Sequence, residues 1–364
     1  MRQADTLAEP SVRRRLVDAA GVLTTPLLPD DYLSVINPLW SFNRLRGRIE
    51  QIIPRTDASA TVVIRPGRRW PRHRAGQHTA IAVDVDGVRH WRSYSLTSDP
   101  GRPDGCISIT VKAVDGGAVS THLVRAAKPG DIVLLGPPEG DFHLPGDVTR
   151  TPLLLITAGS GITPVMAMLR SLERQGRIED VVHIHSDRTA GDVIFGEALR
   201  GLAGRNPGVE LHERHTAAAA RFTPEELDAL CPDWRERDTY ACGPLGLLDA
   251  VEEFFAEQGA LPRLHLERFE IATLSADPDD GGTVTVAGSG RTFDAPAGTP
   301  LLVAGEDAGL PLQSGCRMGI CHTCVCTLEA GQVRDLRTGE LKSEPGSHIQ
   351  LCVSGAAGDV EVSF

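Results

Sequence analysis

The chain has 364 residues, 41% of them apolar, with 38 Gly, 25 Pro and a net charge of −11. That length exceeds one comfortable hydrophobic core, so two or three units are expected. The acidic balance argues against a nucleic-acid partner, and no run approaches the roughly 18 apolar residues that span a bilayer. Arg13, Arg14 and Arg15 are not followed by an apolar stretch, Asp18 interrupting the little there is, so no secretory signal is read and a cytoplasmic location is expected. The charge is uneven. Lys and Arg outnumber Asp and Glu by 16 to 11 over residues 41–150 but are outnumbered 23 to 12 over 151–280. The basic stretch suits an anionic cofactor.

Residues 1–41 form an N-terminal extension whose later part, Thr24–Leu33 and Asn37–Ser41, is apolar without a helical period. It is expected to pack on the body of the protein, because exposed Leu and Trp are costly; docking to a partner or a membrane surface is the alternative. Residues 42–148 carry short apolar or alternating runs at 47–53, 61–64, 79–85, 107–114 and 131–135, the spacing of an antiparallel β-barrel. Following a strand, Arg92-Ser93-Tyr94-Ser95 offers a guanidinium for phosphate, a flat ring for stacking and hydroxyls for a ring edge. Further on, Val111-Lys112 and Gly117-Ala118-Val119-Ser120-Thr121 present amides and a hydroxyl at a helix start, suited to a pyrophosphate; His122 is read as structural.

From 149 to 270 the rhythm changes to alternating strands and helices, which implies a parallel sheet covered on both faces. Strands are predicted at 152–157, 181–185, 208–213 and 239–241, with helices at 163–175, 190–202, from 223, and 245–258. Thr223-Pro224-Glu225-Glu226 places Thr at the N-cap, Pro at N1 and Glu at N3. The turn Gly159-Ser160-Gly161-Ile162-Thr163 joins the first strand to its helix and lets a dinucleotide phosphate approach bare backbone. At the end of the second strand, Ser186 and Arg188 suit a 2′-phosphate, with Asp187 between them dissenting, so NADPH is preferred to NADH. Residues 271–282 read as an acidic, small-residue linker.

Residues 283–364 hold Cys316, Cys321, Cys324 and a distant Cys352, the C-x4-C-x2-C pattern with a lone fourth cysteine that holds a [2Fe-2S] cluster in plant-type ferredoxins. A zinc site usually has a second short pair, and a disulfide framework suits an exported chain. Cys326, two residues past Cys324 on a strand, is read as a core residue.

Taken together, residues 41–364 resemble the ferredoxin-NADP reductase type of flavoprotein fused to a C-terminal plant-type [2Fe-2S] ferredoxin. The R-x-Y-S sequence at 92–95, the Cys242-Gly243-Pro244 element and Glu267-Arg268-Phe269 carry the likeness. The resemblance implies an antiparallel β-barrel flavin domain, an α/β parallel-sheet NADP domain and a β-grasp ferredoxin domain. It implies a hydride-transfer site at Cys242 and Thr163; the Gly117–Thr121 segment suits the pyrophosphate of FAD, while FMN, found in dioxygenase reductases that share R-x-Y-S and the same domain order, is the alternative. Nicotinamide gives a hydride and a [2Fe-2S] centre takes one electron, so a flavin is expected between them. The N-terminal extension resembles that of actinobacterial reductases feeding acyl desaturases, which implies a membrane di-iron desaturase as acceptor. A soluble ring-hydroxylating or cytochrome P450 oxygenase is the alternative, and an electron-transfer subunit or redox sensor without its own NADPH turnover is a third reading.

Overall fold

The computed structural model describes residues 29–85, 87–114, 116–145, 152–269, 277, 280–310, 312–315, 317, 319 and 322–364. Met1–Leu28, most of the stretch read as a linker, and the ligand candidates Cys316 and Cys321 lie outside the described residues.

Strands β1 (Leu45–Thr56), β2 (Ser59–Pro66), β3 (His78–Val85), β4 (Val88–Ser95), β5 (Ile107–Lys112) and β6 (Ile132–Glu139) pair in the order β4-β3-β6-β1-β2-β5, antiparallel throughout. A bridge between Leu96 and Ile109 brings the end of β4 back to β5 and closes the barrel. Its interior is Ile49, Val62, Ile64, Ile81, Ile109 and Leu135, the inward-facing positions of alternating strands. Arg92–Ser95 form the last residues of β4 rather than following a strand; the run was hidden because Arg89, His90, Arg92 and Ser93 dilute its apolar alternation. A short helix α1 (Pro29–Ile36) precedes the barrel. It is tied down where Asp30 accepts hydrogen bonds from Ser41 Oγ (2.6 Å) and the Phe42 amide (2.7 Å). The extension packs only in part, however: Leu33 and Leu39 are half-buried, whereas Tyr32, Val35, Ile36 and Trp40 are exposed.

Helix α2 (Ala118–Thr121) runs into a π-turn at His122–Ala126. Five parallel strands follow, β7 (Leu153–Ala158), β8 (Val181–Asp187), β9 (Val209–His215), β10 (Asp238–Cys242) and β11 (Leu264–Glu267), in the order β11-β10-β7-β8-β9. Strand β7 reads Leu-Leu-Leu-Ile-Thr-Ala with no alternation because both its faces are covered. On one face pack α3 (Ile162–Arg174) and α4 (Gly196–Arg205), on the other α6 (Leu245–Glu257) and the short α5 (Leu227–Leu230). The reciprocal capping box of Thr223 and Glu226 forms as expected, but it opens a 3-10 turn before α5. The helix expected at 190–202 begins only at Gly196, since residues 188–195 are turns. Strand β11 was not foreseen.

The C-terminal sheet runs β13 (Thr292–Pro296), β12 (Gly281–Val286), β17 (Ser354–Ser363), β14 (Val325–Asp335), β15 (Leu341–Lys342), with β16 (Ser347–Gln350) also on β14. The central pair β12 and β17 is parallel and the rest antiparallel, with α7 (Leu301–Asp307) laid across. This is the β-grasp arrangement. Gly281 and Gly282 already pair within β12. Among the described residues no helix is long and apolar enough to cross a membrane.

Candidate functional site

A cavity of about 550 Å³ opens where the three sheets meet. From β4 it takes Arg92, Ser93, Tyr94 and Ser95; from β5, the following turn and α2, Val111, Lys112, Gly117, Val119 and Ser120; from the turn after β7 and the start of α3, Ser160 and Thr163. Because β4 ends the barrel beside β3, the alternating strand carries Tyr94 and its neighbours to the open rim. Burial, and next the Arg317 guanidinium, push Arg92 below its ordinary pKa, and burial raises the Tyr94 phenol. The Arg92 side chain donates to the Trp91 carbonyl at 2.7 Å.

The lining fits a flavin nucleotide. It joins apolar surfaces (Tyr94, Val111, Val119, Phe269) to cations (Arg92, Lys112). The buried Ser95 hydroxyl has no partner of its own, an orphan that a bound polar ring edge satisfies. Thr121 is exposed, its hydroxyl reaching the Val114 carbonyl at 3.5 Å, and it does not line the cavity.

The turn at 159–163 sits where expected. Gly159 takes φ +54, left-handed backbone that suits glycine. Thr163 Oγ1 donates to the Ser160 carbonyl at 2.9 Å, fixing the first turn of α3. The Ile162 side chain, by contrast, is fully buried in the core. Cys242 ends β10 and is buried behind Gly161, so its thiol does not line the cavity. Burial first, and then the charge of Glu267, hold that thiol well above its ordinary pKa. Gly243 and Pro244 follow, with Pro244 exposed as the N-cap of α6.

At the end of β8, Arg188 is exposed and pairs with Asp192 at 3.2 Å, and Ser186 is half-buried beside it. Asp187 turns inward: one oxygen accepts the Arg188 amide at 2.8 Å, while the other is buried 3.9 Å from His185 Nε2.

In the third sheet Cys324 immediately precedes β14 and Cys352 follows β16, both buried. The Leu351 amide donates to the Cys324 carbonyl at 3.0 Å, so the distant fourth cysteine returns beside the third. Cys326 pairs with Ile349 inside the core, its thiol pushed up to about 12 by burial.

Four lining residues escaped the sequence reading: His78, Thr110, Glu267 and Arg317. His78 and Glu267 face each other at 3.6 Å across the barrel and the parallel sheet. Only tertiary pairing reveals His78 and Thr110, which sit in strands with no motif of their own, whereas Glu267 lies in the Glu267-Arg268-Phe269 element and Arg317 directly follows Cys316.

A barrel, a parallel nucleotide sheet and a ferredoxin-like sheet around one cavity define a flavin-dependent pyridine-nucleotide reductase that carries its own iron-sulfur unit. The comparisons with known proteins agree. Residues 71–144 match the oxidoreductase FAD-binding domain, 155–253 the oxidoreductase NAD-binding domain and 284–356 the 2Fe-2S iron-sulfur cluster binding domain. The chain is 50% identical over 343 residues to an NADPH oxidoreductase of Mycobacterium tuberculosis, covering 93% of this chain and 90% of that protein. It is 30% identical to the glycine betaine monooxygenase reductase subunit of Pseudomonas aeruginosa, over 79% of this chain and 86% of the other. In fold it is similar to phthalate dioxygenase reductase, with TM-score 0.63 and 24% identity over 88% of this chain and 98% of that one. The chain belongs to the ferredoxin-NADP reductase-type flavoproteins fused to a C-terminal [2Fe-2S] ferredoxin, and it is an NAD(P)H-dependent oxidoreductase using FAD and [2Fe-2S].

Proposed function

We propose that the chain takes its electrons from NADPH and delivers them to a separate oxygen-activating protein. The single observation that carries this reading is the shared cavity, where Tyr94 and Ser95 of the barrel, Thr163 of the nucleotide sheet and Arg317 of the ferredoxin unit face one another. A bound FAD would supply the conversion of a two-electron hydride into single electrons, and a bound [2Fe-2S] cluster would supply a one-electron carrier.

The residues of this chain bind, orient and exclude water. Arg92, Lys112, Gly117 and Ser120 are assigned to the FAD phosphates, Tyr94 and Phe269 to the faces of its ring, and Ser93, Ser95, Val111 and Val119 to its edges. The backbone of Gly159, Ser160, Gly161 and Ile162, with Gly243 and Pro244, receives the coenzyme. Thr163 orients the nicotinamide, and Cys242 closes the floor of that site with its proton kept on Sγ. Cys316, Cys321, Cys324 and Cys352 are the cluster ligands.

Preference for NADPH rests on Asp187. A ribose-binding acid has to present its carboxylate to the ligand, and this one is turned inward toward His185. Ser186 and Arg188 are left at the strand end, and the exposed Arg188 to Asp192 pair is weak enough to be exchanged for a 2′-phosphate.

For the acceptor, relatives named as monooxygenase reductase components favour an oxygenase. A membrane di-iron acyl desaturase is the second reading, favoured by the N-terminal extension and the exposed Tyr32, Val35, Ile36 and Trp40. Steady NADPH-driven reduction of ferricyanide and cytochrome c by the isolated chain tests the reductase reading. A chain holding both redox groups that reduced neither would instead be a subunit or sensor.

A further inference from the structure

Arg317 is the one residue of the ferredoxin unit, among the described residues, that lines the flavin cavity. It is one residue past Cys316, in the loop between α7 and β14. Its backbone is unusual, with φ +59 in a residue other than glycine, a conformation that costs on the order of 1 kcal/mol and persists only where the surroundings enforce it. Its side chain is held as well: Nη2 reaches both carboxylate oxygens of Glu306, in α7, at 2.6 Å. Meanwhile Nε is buried and has no partner.

A buried donor left without an acceptor costs about 1–3 kcal/mol, so this one calls for an occupant. The charges say which kind. Arg92 lies close enough for the Arg317 charge to be felt after burial itself, and Lys112 stands on the same cavity, so three cations share it. Of the carboxylates, Glu306 is engaged by Arg317 and its charge also reaches Arg92, and Glu267 faces His78, so the cations still outnumber the carboxylates three to two. Two guanidiniums turned to one cavity repel unless an anion lies between them, and arginine forks match phosphate oxygens.

We propose that Arg317 is a ligand of the flavin nucleotide's phosphate, contributed by the ferredoxin unit, so that bound FAD itself fastens the cluster loop to the barrel. This rests on the flavin reading of the cavity given above. The phosphate takes the place between Arg92 and Arg317, and Glu306 holds the arginine at the correct reach. By linkage, FAD affinity and docking of the cluster loop strengthen each other to the same degree.

The test is a titration of flavin-stripped protein that retains its cluster, using FAD and, separately, phosphate-free riboflavin, read by quenching of flavin fluorescence. Native protein, Arg317→Gln and Arg317→Lys are compared, with the EPR signal of the reduced cluster as the check that the loop is intact. Arg317→Gln is expected to weaken FAD about tenfold and Arg317→Lys less, with riboflavin affinity unchanged. Equal losses for FAD and riboflavin, or an unchanged FAD affinity, overturn the proposal. Native protein that takes up no FAD overturns the flavin reading beneath it instead.

Discussion

A β-carbon on residue 161 would stand 2.0 Å from the carbonyl oxygen of Cys242, so Gly161 and Cys242 meet through bare backbone. The contact locks the turn after β7 against the end of β10, the two neighbouring strands whose ends carry the proposed nicotinamide site. It also explains why a glycine is required there although its φ is an ordinary helical one.

Gly161→Ala therefore forces the two strand ends apart. Overpacking of this kind costs about 1–3 kcal/mol, and it falls where hydride-transfer geometry is set. NADPH-driven ferricyanide reduction is expected to drop at least about tenfold while FAD stays bound. Unchanged turnover would show that the site tolerates the displacement.

The buried pair His183 and His185 makes the nucleotide sheet sensitive to acid. Both rings share Thr157 Oγ1 at 2.8 Å, so one ring nitrogen donates to that oxygen and the other accepts its proton. Burial pushes His183 down to about 3 and His185 to about 4, so both are neutral when folded. Protonation then favours the unfolded chain. Their contribution is fully present above about pH 6.5 and is lost as the pH falls toward 4 and then 3, at up to about 1.4 kcal/mol per pH unit for each ring. Hydrogen exchange of β8 amides, corrected for intrinsic rates, should show this loss between pH 7 and 5. His183→Gln should flatten the slope by about half, whereas an identical slope in the variant would contradict the assignment.

Arg188→Ala is expected to raise KM for NADPH about tenfold or more and to leave NADH nearly unchanged, since only the former carries the 2′-phosphate. Steady-state kinetics with both coenzymes decides it. Equal losses would mean that Arg188 does not touch that phosphate.

Cys324→Ser should abolish the reduced-state EPR signal and cytochrome c reduction while sparing ferricyanide reduction by the flavin. A variant that kept the visible absorption and EPR signal of the native protein would contradict the ligand set.

Much of this was legible in the sequence because the relevant groups are local. The cysteine run, Arg92–Ser95 and the 159–163 turn each gather several functional positions within ten residues, where spacing alone carries meaning. Alternation of strand and helix disclosed the parallel sheet for the same reason. What stayed hidden depends on contacts between distant segments. Nothing about Glu267 or His78 signals that β11 and β3 bring them within 3.6 Å of each other. Asp187 counts against NADPH in the sequence, and only the structure turns its carboxylate toward His185; Thr121 reads as a phosphate ligand until the helix turn leaves it exposed and off the cavity. Strand β4 was missed because its polar residues, some of them lining the cavity, break the apolar alternation by which strands are recognised.

The central claim is that electrons run from NADPH through FAD to the cluster within one chain. Anaerobic rapid mixing of the holoprotein with NADPH, followed optically and by freeze-quench EPR, tests it most directly. Flavin bleaching should come first, and the reduced-cluster signal should then grow at the expense of reduced flavin, without any added carrier. A flavin that stays fully reduced beside a cluster that remains oxidised would contradict the account.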